Sequence, residues 1–464
     1  MSRLLTEPRR PARIRALPAA PWLAVGTVCV GAFMGQFDSS IVATALPVLR
    51  SNLHASIAAV EWVVLIYVLV LAGTVASVGK IADRIGRKLL YTYGFGIFVV
   101  GSAACALAPS LGILVAARFV QALGAVMLQA NSYALIRDVL PPSRLGTGLG
   151  VQGAAQAVGL SVGPVAGGAL AAAGGWRLIF IVNVPIGLCG LALGWFLLPR
   201  SVHRNPESRI DPTGILLLAA IPSVILAALS LAAQPGSSPW VEIGLGLLAL
   251  VLVGAAVERQ HRIAGSVVDG ALLRVPAFVA GIGAALLSYL VLFGCLVAVP
   301  FFLEKTRHLG PAAAGLELTA LPLALAIVAP LGGVIRDRVG PRIPAGTGMA
   351  MSALGMGLLA ASATRPGLTL AALAVTGAGM GLFIPANNAA TMTAASTSRA
   401  GAAGGLLNMS RGLGTALGVA MTSLVFAAGR GLITASMLLL AVAVLAGIVA
   451  VAWTRSRPAA VPGI

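Results

Sequence analysis

The chain has 464 residues, of which 58% are hydrophobic and only 9% are charged. Because a soluble domain carries about 25% charged residues, this composition excludes a soluble enzyme. The 31 Lys and Arg residues outnumber the 13 Asp and Glu residues, which gives a net charge of +18. The basic residues lie in short segments between long apolar runs and form no continuous patch, so the charge does not indicate nucleic-acid binding.

The apolar runs are long enough to cross a bilayer, which takes about 20 mostly apolar residues per helix. We predict an all-α integral membrane protein with fourteen transmembrane helices, in chain order 22–49, 58–79, 89–108, 111–135, 145–173, 178–198, 213–232, 241–257, 277–303, 312–335, 345–362, 367–392, 402–427 and 431–453. The eighth run is the shortest, and without it the two termini would lie on opposite sides of the membrane.

The distribution of basic residues predicts the orientation. If the N-terminus is cytoplasmic, 23 of the 31 Lys and Arg residues fall in cytoplasmic segments, six fall on the other side, and Arg118 and Arg411 fall within spans. The positive-inside rule then places both termini in the cytoplasm and favours an even number of helices. The first run is too long for the apolar part of a signal peptide and carries an acid, so we expect it to be retained. The expected location is the inner (cytoplasmic) membrane of the cell.

A decapeptide occurs twice in the chain. GKIADRIGRK, from Gly79 to Lys88, reappears as GVIRDRVGPR from Gly333 to Arg342, 254 residues later. This offset exceeds six helices by one further pair, which predicts two parallel six-helix lobes with two extra helices between them. Parallel repeats of this kind place a substrate site near the bilayer midplane at their interface. The predicted organisation is a cytoplasmic tail (1–21), an N-terminal lobe (22–198), a loop with two linker helices (199–275), a C-terminal lobe (276–453) and a second cytoplasmic tail (454–464).

Two ionisable residues lie deep within the spans. Asp38 in the first run must face a cavity or a partner, and burial favours its neutral form, as a reversible proton carrier requires. Arg118 lies about 10 Å from the outer end of its helix and Asp38 about 16 Å from the outer end of its own, so the depths are comparable. Movement of Arg118 could then switch proton binding by Asp38. The alternatives are a permanent pairing of Asp38 and, for Arg118, a static ion pair or a clamp on a carbonyl.

A third acid, Glu317, is a further candidate for proton coupling. It follows Glu61 by 256 residues, so the two can be repeat equivalents. Both fall in the first turns of helices that begin outside, where an acid also suits the helix dipole.

Amide side chains occur in several apolar runs. Together with Asp38, they are candidates for binding the substrate, and the alternative is hydrogen bonding between helices. The amides are Gln36, Gln129, Asn131, Gln152, Gln156, Asn387, Asn388 and Asn408.

The fifth run contains a glycine pattern. Gly150, Gly159, Gly163, Gly167 and Gly168 occur at helical spacing, with Pro164 among them, and such spacing lets another helix approach closely. The chain contains no nucleotide-binding P-loop, so nothing indicates direct use of ATP. The four cysteines fall in separate runs without metal-ligand spacing, and we expect neither a metal nor a cofactor.

At these residues the chain resembles the major facilitator superfamily, and specifically its fourteen-helix drug:proton antiporter branch, over residues 20–455. Gly79–Lys88 is similar to the family's loop motif after the second helix. The resemblance implies that Asp83 and Arg87 form a latch that holds the halves in an outward-open state, and we assign Gly79, Arg84, Gly86 and Asp337 to the same latch.

Other segments extend the resemblance. Leu114–Gly124 is similar to the fourth-helix motif implicated in proton transfer, with Ala122 in place of the usual Gly. Gly150–Gly168 resembles the antiporter motif, which implies export. Phe37–Pro47 and Gly175–Pro185 are similar to signatures of the first and sixth helices of this branch. Some relatives carry acids in the thirteenth helix, whereas this chain has Asn408 and Arg411 there, which disfavours export of polyvalent cations.

The sequence therefore predicts a proton-coupled secondary antiporter, not an enzyme, that exports small amphipathic compounds such as drugs or antibiotics by alternating access. In this hypothesis Asp38 binds proton or substrate competitively, and the cargo is neutral or monocationic. The expected partners are protons, the substrate and the lipid bilayer, with no nucleic acid, and the expected state is a monomer. The alternatives are a dedicated exporter of one metabolite or self-made antibiotic, a monovalent-cation/proton antiporter, and a non-transporting membrane sensor or scaffold.

Overall fold

The structure is a computed structural model that describes residues 7, 9–201, 211, 213–214, 216–217, 220–221, 224, 228, 239–262, 270–305, 316–365 and 367–453. Within these ranges the chain is helical and contains no strand. Thirteen long helices are present there: α1 (Ala20–Asn52), α2 (Ile57–Ile85), α3 (Arg87–Ala106), α4 (Leu111–Val139), α5 (Leu145–Gly174), α6 (Asn183–Leu197), α7 (Pro239–Arg262), α8 (Pro276–Lys305), α9 (Ala320–Val339), α10 (Arg342–Ser362), α11 (Leu368–Ala394), α12 (Ala400–Ala427) and α13 (Leu432–Trp453).

These helices correspond to thirteen of the fourteen predicted runs. The remaining run, 213–232, lies mostly outside the described residues. Eleven helical segments in the described part are long and apolar enough to cross a membrane. α7 has an apolar stretch only over Gly244–Ala256, and α12 is not among the eleven because Asn408, Arg411 and several small residues lower its hydropathy. The count of fourteen therefore stays a prediction.

Glycine explains the chain reversals inside the repeated decapeptide. Gly86 ends α2 with φ of 121°, and Gly340 ends α9 with φ of 83°. Residues with a Cβ rarely adopt these angles, so glycine lets the next helix begin at once. Elsewhere serine begins the helix, because the side chains of Ser56 and Ser110 accept hydrogen bonds from the backbone N–H groups of Ala59 and Ile113.

The described chain forms two compact units. Unit 1 is drawn from residues 1–141, 151–270 and 396–412, and unit 2 from 142–150, 271–395 and 413–464. The first residues of α5 therefore belong to unit 2, and the first part of α12 belongs to unit 1. Each unit thus includes the first residues of one helix, α12 in unit 1 and α5 in unit 2, whose later residues belong to the other unit.

Within unit 1, α4 packs against α2 and α3, and α1 packs against α4 and α6. The apolar core around these helices includes Ile41, Val63, Leu114, Trp176 and Phe180. Within unit 2, α10 packs between α11 and α13, α9 packs on α11, and α8 packs on α13. The packing in unit 1 brings the inner faces of α1, α2, α4 and α6 together around Asp38.

Candidate functional site

Asp38 and Arg118 form a buried ion pair in unit 1. Arg118 Nη1 lies 2.7 Å from Asp38 Oδ2, and the two side chains are 1% and 0% exposed. The two residues that the sequence predicts at comparable depth are therefore in direct contact. A buried pair is weak evidence for stability, because desolvation offsets the attraction, but removing one partner leaves a costly isolated charge.

Two neutral amides complete the surroundings of the Asp38 carboxylate. Gln121 Nε2 and Asn183 Nδ2 each donate to Oδ1 at 2.9 Å. Amide and guanidinium nitrogens only donate, so the Asp38 carboxyl group accepts all three hydrogen bonds. The structure therefore surrounds the Asp38 carboxyl group with donors from α4 and α6.

Arg118 is fixed from several sides. Its Nε donates to the carbonyl of Val63 on α2 at 3.0 Å, and Nη1 donates to Gln121 Oε1 at 2.6 Å. The guanidinium carbon lies 4.4 Å from the centre of the Tyr67 ring and 5.8 Å from that of Phe180, within range of cation–π attraction. Both the ion pair and the carbonyl contact considered for Arg118 are present.

Local sequence explains how two of these donors reach Asp38. Arg118 and Gln121 are three residues apart on α4 and therefore share a face of the helix. Asn183 begins α6 after a break in the preceding turn, which itself follows Gly175 at φ of 80°. Trp176 is buried next to this break and anchors it in the apolar core.

The first copy of the decapeptide binds the start of α12 within unit 1. Asp83 accepts hydrogen bonds of 2.9 Å from the backbone N–H groups of Gly401 and Ala402. An added Cβ at Gly79 would collide with the carbonyl of Gly401, so the close approach requires glycine there. The carboxylate thus satisfies first-turn N–H groups and faces the positive end of the helix dipole.

Arg87 links this cap to a second acid. It donates to Asp83 Oδ1 at 2.9 and 2.7 Å, to both oxygens of Asp138 at 2.7 Å, and to the carbonyl of Thr397 at 2.9 Å. Arg87 is 1% exposed, whereas Arg84, assigned to the same latch, is exposed.

The second copy makes the equivalent contact in unit 2. Asp337 accepts hydrogen bonds from the N–H groups of Gly146 and Thr147 at 2.8 and 2.7 Å, and from the Thr147 hydroxyl at 2.7 Å. Arg336 pairs with Asp337 at 2.9 Å and donates to the carbonyl of Pro142 at 3.0 Å. In both copies the repeated aspartate therefore caps the first turn of a helix from the other half of the sequence.

Two of the candidate amides, Gln156 and Asn408, meet in unit 1 beside the backbone of a third, Gln129. Asn408 Nδ2 donates to the carbonyl of Gln129 at 2.9 Å, and Arg411 donates to Asn408 Oδ1 and Gln156 Oε1, each at 3.1 Å. Arg411 also donates to the hydroxyl of Tyr133. α4, α5 and α12 therefore contribute to one polar cluster.

The other candidates lie elsewhere. Asn131 donates to the carbonyl of Met127 on its own helix at 2.8 Å, and Gln36 is half-buried on α1. In unit 2, Asn387 donates to the carbonyl of Gly281 at 2.9 Å, and Asn388 is buried beside it. Glu317 is half-buried in a short helical stretch just before α9, in unit 2.

The glycine pattern brings α5 against α1. An added Cβ at Gly159 would lie 2.5 Å from the carbonyl oxygen of Phe33, and one at Gly163 would collide with Ser40. The Ser40 hydroxyl also lies 3.2 Å from the carbonyl of Gly159, to which it donates. Ser40 follows Asp38 by two residues, so this contact between α5 and α1 lies next to Asp38 in the sequence.

Other members of the pattern differ in their surroundings. A Cβ at Gly150 would collide with the carbonyl of Ala329 in unit 2, whereas one at Gly168 would meet nothing within 4 Å. Gly167 is buried, and Pro164 lies inside α5.

Sequence reasoning missed several residues of these clusters. Gln121 and Asn183 are amides in apolar runs, so the criterion that selected Gln129 and Gln156 should have included them. Asp138 is an acid at the end of α4, and its partner Arg87 was known only as a motif residue. Nothing in the sequence marked Tyr133 as a candidate site residue, because a single tyrosine in an apolar helix is common. Within the described ranges, no group of three or more His, Cys, Asp or Glu residues could hold a metal ion.

Comparisons with known proteins agree with this architecture. The chain is 32% identical to the riboflavin transporter RibZ of Clostridioides difficile over 73% of this chain and 74% of that protein. It is 30% identical to the tetracenomycin C resistance and export protein of Streptomyces glaucescens over 73% of this chain and 63% of that protein. It is 32% identical to the multidrug resistance protein Stp of Mycobacterium tuberculosis over 71% of this chain and 62% of that protein.

Solved structures share the fold at low identity. The human organic anion transporter MFSD10 superposes with a TM-score of 0.67 at 13% identity, covering 93% of this chain and 99% of that one. The proton:xylose symporter XylE superposes with a TM-score of 0.66 at 15% identity, covering 93% and 95%. The family model described as Major Facilitator Superfamily matches residues 28–291 and 281–463. With this match, the shared fold and the transporter relatives, the chain belongs to the major facilitator superfamily of membrane transporters.

Proposed function

We propose that this protein is a proton-coupled antiporter that exports small amphipathic compounds by alternating access. The observation that carries the proposal is the buried carboxylate of Asp38, bound by Arg118, Gln121 and Asn183. A charge held this deep in a membrane protein is a functional group by default, because it is costly to retain for packing alone.

The surroundings of Asp38 couple its protonation to helix positions. Protonation would remove the ion pair and leave the Arg118 guanidinium buried with only neutral acceptors, at a cost of about 3–5 kcal/mol for a broken buried pair. Movement of Arg118 or entry of another anion would relieve this cost. Because Arg118 contacts Val63 and lies on α4, a proton at Asp38 acts on α1, α2, α4 and α6 together.

Export is supported by the contact between α5 and α1 and by the relatives. The glycine pattern brings α5 onto the helix that carries Asp38, so a movement of α5 would reach the acid. Among the relatives, one is named for tetracenomycin C export, one for multidrug resistance and one for methylenomycin A resistance. In this proposal the chain has fourteen transmembrane helices, both termini lie in the cytoplasm, and it functions as a monomer in the inner membrane with lobes at 22–198 and 276–453.

The proposal is tested in liposomes that contain the purified protein and have a lumen more acidic than the bath. Uptake is measured for riboflavin, tetracenomycin C, methylenomycin A and ethidium, with and without the pH gradient. The variant is Asp38→Asn, which keeps the shape but cannot ionise. The matched control is Glu61→Gln, which removes an exposed acid on α2.

Gradient-driven uptake of at least one compound by the wild type and by Glu61→Gln, together with its loss in Asp38→Asn, supports proton coupling through Asp38. Full gradient-driven uptake by Asp38→Asn rejects the assignment. The same panel separates a broad exporter from a dedicated one, a candidate favoured by the riboflavin transporter among the relatives. A dedicated protein responds to one scaffold only.

A further inference from the structure

A second buried charge lies in unit 1, apart from the Asp38 cluster. Arg411 on α12 is 6% exposed. Its guanidinium donates to the Tyr133 hydroxyl, to Asn408 Oδ1 at 3.1 Å and to Gln156 Oε1 at 3.1 Å. The guanidinium carbon lies 5.6 Å from the centre of the Tyr133 ring. α4, α5 and α12 thus arrange neutral oxygens around one cation.

The chemistry of these contacts favours an anion as a ligand. A guanidinium has five N–H donors in a planar fork and no acceptor, and the fork matches a carboxylate in a bidentate arrangement. The hydrogen bonds from Arg411 to the neutral amide oxygens of Gln156 and Asn408 are already charge-assisted, but a carboxylate adds Coulomb attraction and a bidentate geometry. An incoming carboxylate would therefore replace these oxygens with a gain in binding energy, whereas a cation would be repelled.

Gln152 adds an independent indication of a bound polar group. It is 1% exposed, and neither its Oε1 nor its Nε2 has a hydrogen-bond partner within the described residues. Gln152 precedes Gln156 by four residues on α5, so the two side chains lie on the same face about 5–6 Å apart. A buried amide with both ends unsatisfied is destabilising, and a bound polar group would remove that cost.

This cation is well separated from the proton site. Arg118 and Tyr133 are fifteen residues apart on α4, which corresponds to about 22 Å along a helix. An acidic cargo group at Arg411 would therefore not compete directly with a proton at Asp38. α4 carries contacts to both sites, so it is the element through which occupancy of one site can affect the other.

We propose that Arg411, with Gln152, Gln156, Asn408 and Tyr133, forms a subsite that binds the deprotonated acidic group of the exported compound, so that the cargo class is amphipathic organic monoanions. This inference rests on the proposed export function. It replaces the expectation of a neutral or monocationic cargo, and it assigns Arg411 the role of a specificity-determining residue.

The test measures binding in detergent by isothermal titration calorimetry. The probes are three aryl carboxylates of increasing size, namely benzoate, naphthoate and anthraquinone carboxylate, each compared with its neutral carboxamide. The wild type is expected to bind at least one carboxylate about tenfold or more tightly than its amide, a difference of about 1.4 kcal/mol. If every carboxylate binds no better than its amide, the inference is wrong, and this result needs no variant to fold.

The variants are Arg411→Gln, Arg411→Lys and, as a control, Arg84→Gln, which removes an exposed arginine in the same unit. Arg411→Gln is expected to lose the preference for the carboxylate, Arg411→Lys to keep part of it, and Arg84→Gln to keep all of it. A preference that survives in Arg411→Gln rejects the subsite. Failure of the proton-coupling proposal is seen separately, because Asp38→Asn would then keep gradient-driven transport while the Arg411-dependent preference remained.

Discussion

Asn183 donates a hydrogen bond of 2.9 Å to Asp38, although the two residues are 145 positions apart in the chain. It reaches the same oxygen, Oδ1, as Gln121. Because Asn183 is the first residue of α6, this hydrogen bond ties Asp38 on α1 to the position where α6 begins. A neutral amide at this point donates to the carboxyl group without adding a second charge.

Replacement of Asn183 by Leu is expected to lower the free energy of unfolding. The buried Asp38 carboxyl group loses one of its three donors, and a hydrogen bond to a charged group is worth about 1.5–3 kcal/mol. The measurement is unfolding of Asn183→Leu and of the wild type in the same detergent. An unchanged stability would show that the hydrogen bond from Asn183 to Asp38 does not stabilise the folded protein.

A double-mutant cycle tests the coupling between Arg118 and Asp38. Arg118→Met alone leaves a buried carboxylate without its cation and is expected to lower the free energy of unfolding by about 3–5 kcal/mol. Adding Asp38→Asn removes that charge, so the double variant should be more stable than Arg118→Met. Unfolding in detergent is followed by the fluorescence of the tryptophans. Strictly additive losses would contradict a direct interaction between the two side chains.

The sequence was sufficient to predict thirteen of the long helices, the repeated decapeptide and an ion pair as one interpretation of Arg118. Each depends on local pattern or on counting along a helix, where periodicity and rise per residue are nearly constant. The pairing of Asp83 with the start of α12 and of Asp337 with the start of α5 was not accessible in this way. Those contacts depend on which helix ends meet in space, and a single sequence does not specify that.

The polar cluster around Arg411 also depends on contacts between helices that a single sequence does not specify. Gln129, Gln156 and Asn408 were selected because amides are unusual in apolar helices. The structure brings the side chains of Gln156 and Asn408 to Arg411, whereas Gln129 contributes only its backbone carbonyl. Asn131 satisfied the same criterion, but it bonds to its own helix. The sequence gives the chemical type of each side chain, whereas the rotation of each helix determines which side chains share a site.

Two arginines of the decapeptide should respond very differently to substitution. Arg87→Ala leaves the buried carboxylate of Asp83 and the more exposed carboxylate of Asp138 without their shared cation, and we expect a loss of about 3–5 kcal/mol in the free energy of unfolding. Arg84→Ala changes an exposed side chain and should stay within about 0.5 kcal/mol of the wild type. Thermal unfolding of the two variants in the same detergent gives the comparison. Equal effects would mean that burial of Arg87 does not determine its contribution.

The close contact between α5 and α1 predicts a second matched pair. Gly163→Ala introduces a methyl group into the position of Ser40, and overpacking of this kind costs about 1–3 kcal/mol. Gly168→Ala has open space around the new methyl group and is expected to be neutral or slightly stabilising. Both stability and gradient-driven uptake are measured. If Gly168→Ala impaired uptake as strongly as Gly163→Ala, helix approach would not explain the glycine pattern.

The link between Asp211 and α7 predicts a pH-dependent contribution to stability. Arg259 donates to both carboxylate oxygens of Asp211, at 2.7 to 3.1 Å, and the backbone N–H of Gly214 donates at 3.0 Å. The hydrogen bonds from Arg259, followed by the one from Gly214, lower the pKa of Asp211. A pKa lowered in the folded state stabilises the fold above the unfolded value, about 3.9 for Asp, and this contribution is lost as the pH falls through the folded value.

Asp211→Asn tests the charge alone. The substitution removes the negative charge but keeps a side chain that caps helix starts well. The variant should be slightly less stable than the wild type at neutral pH, because Arg259 is partly exposed and the pair is screened by solvent. The difference in unfolding temperature between the two proteins should shrink as the pH falls below the unfolded value of about 4 and through the lowered pKa of folded Asp211. A difference that stays constant or grows in acid would show that the ion pair to α7 does not stabilise the folded protein, since only the charged form of Asp211 can pair with Arg259.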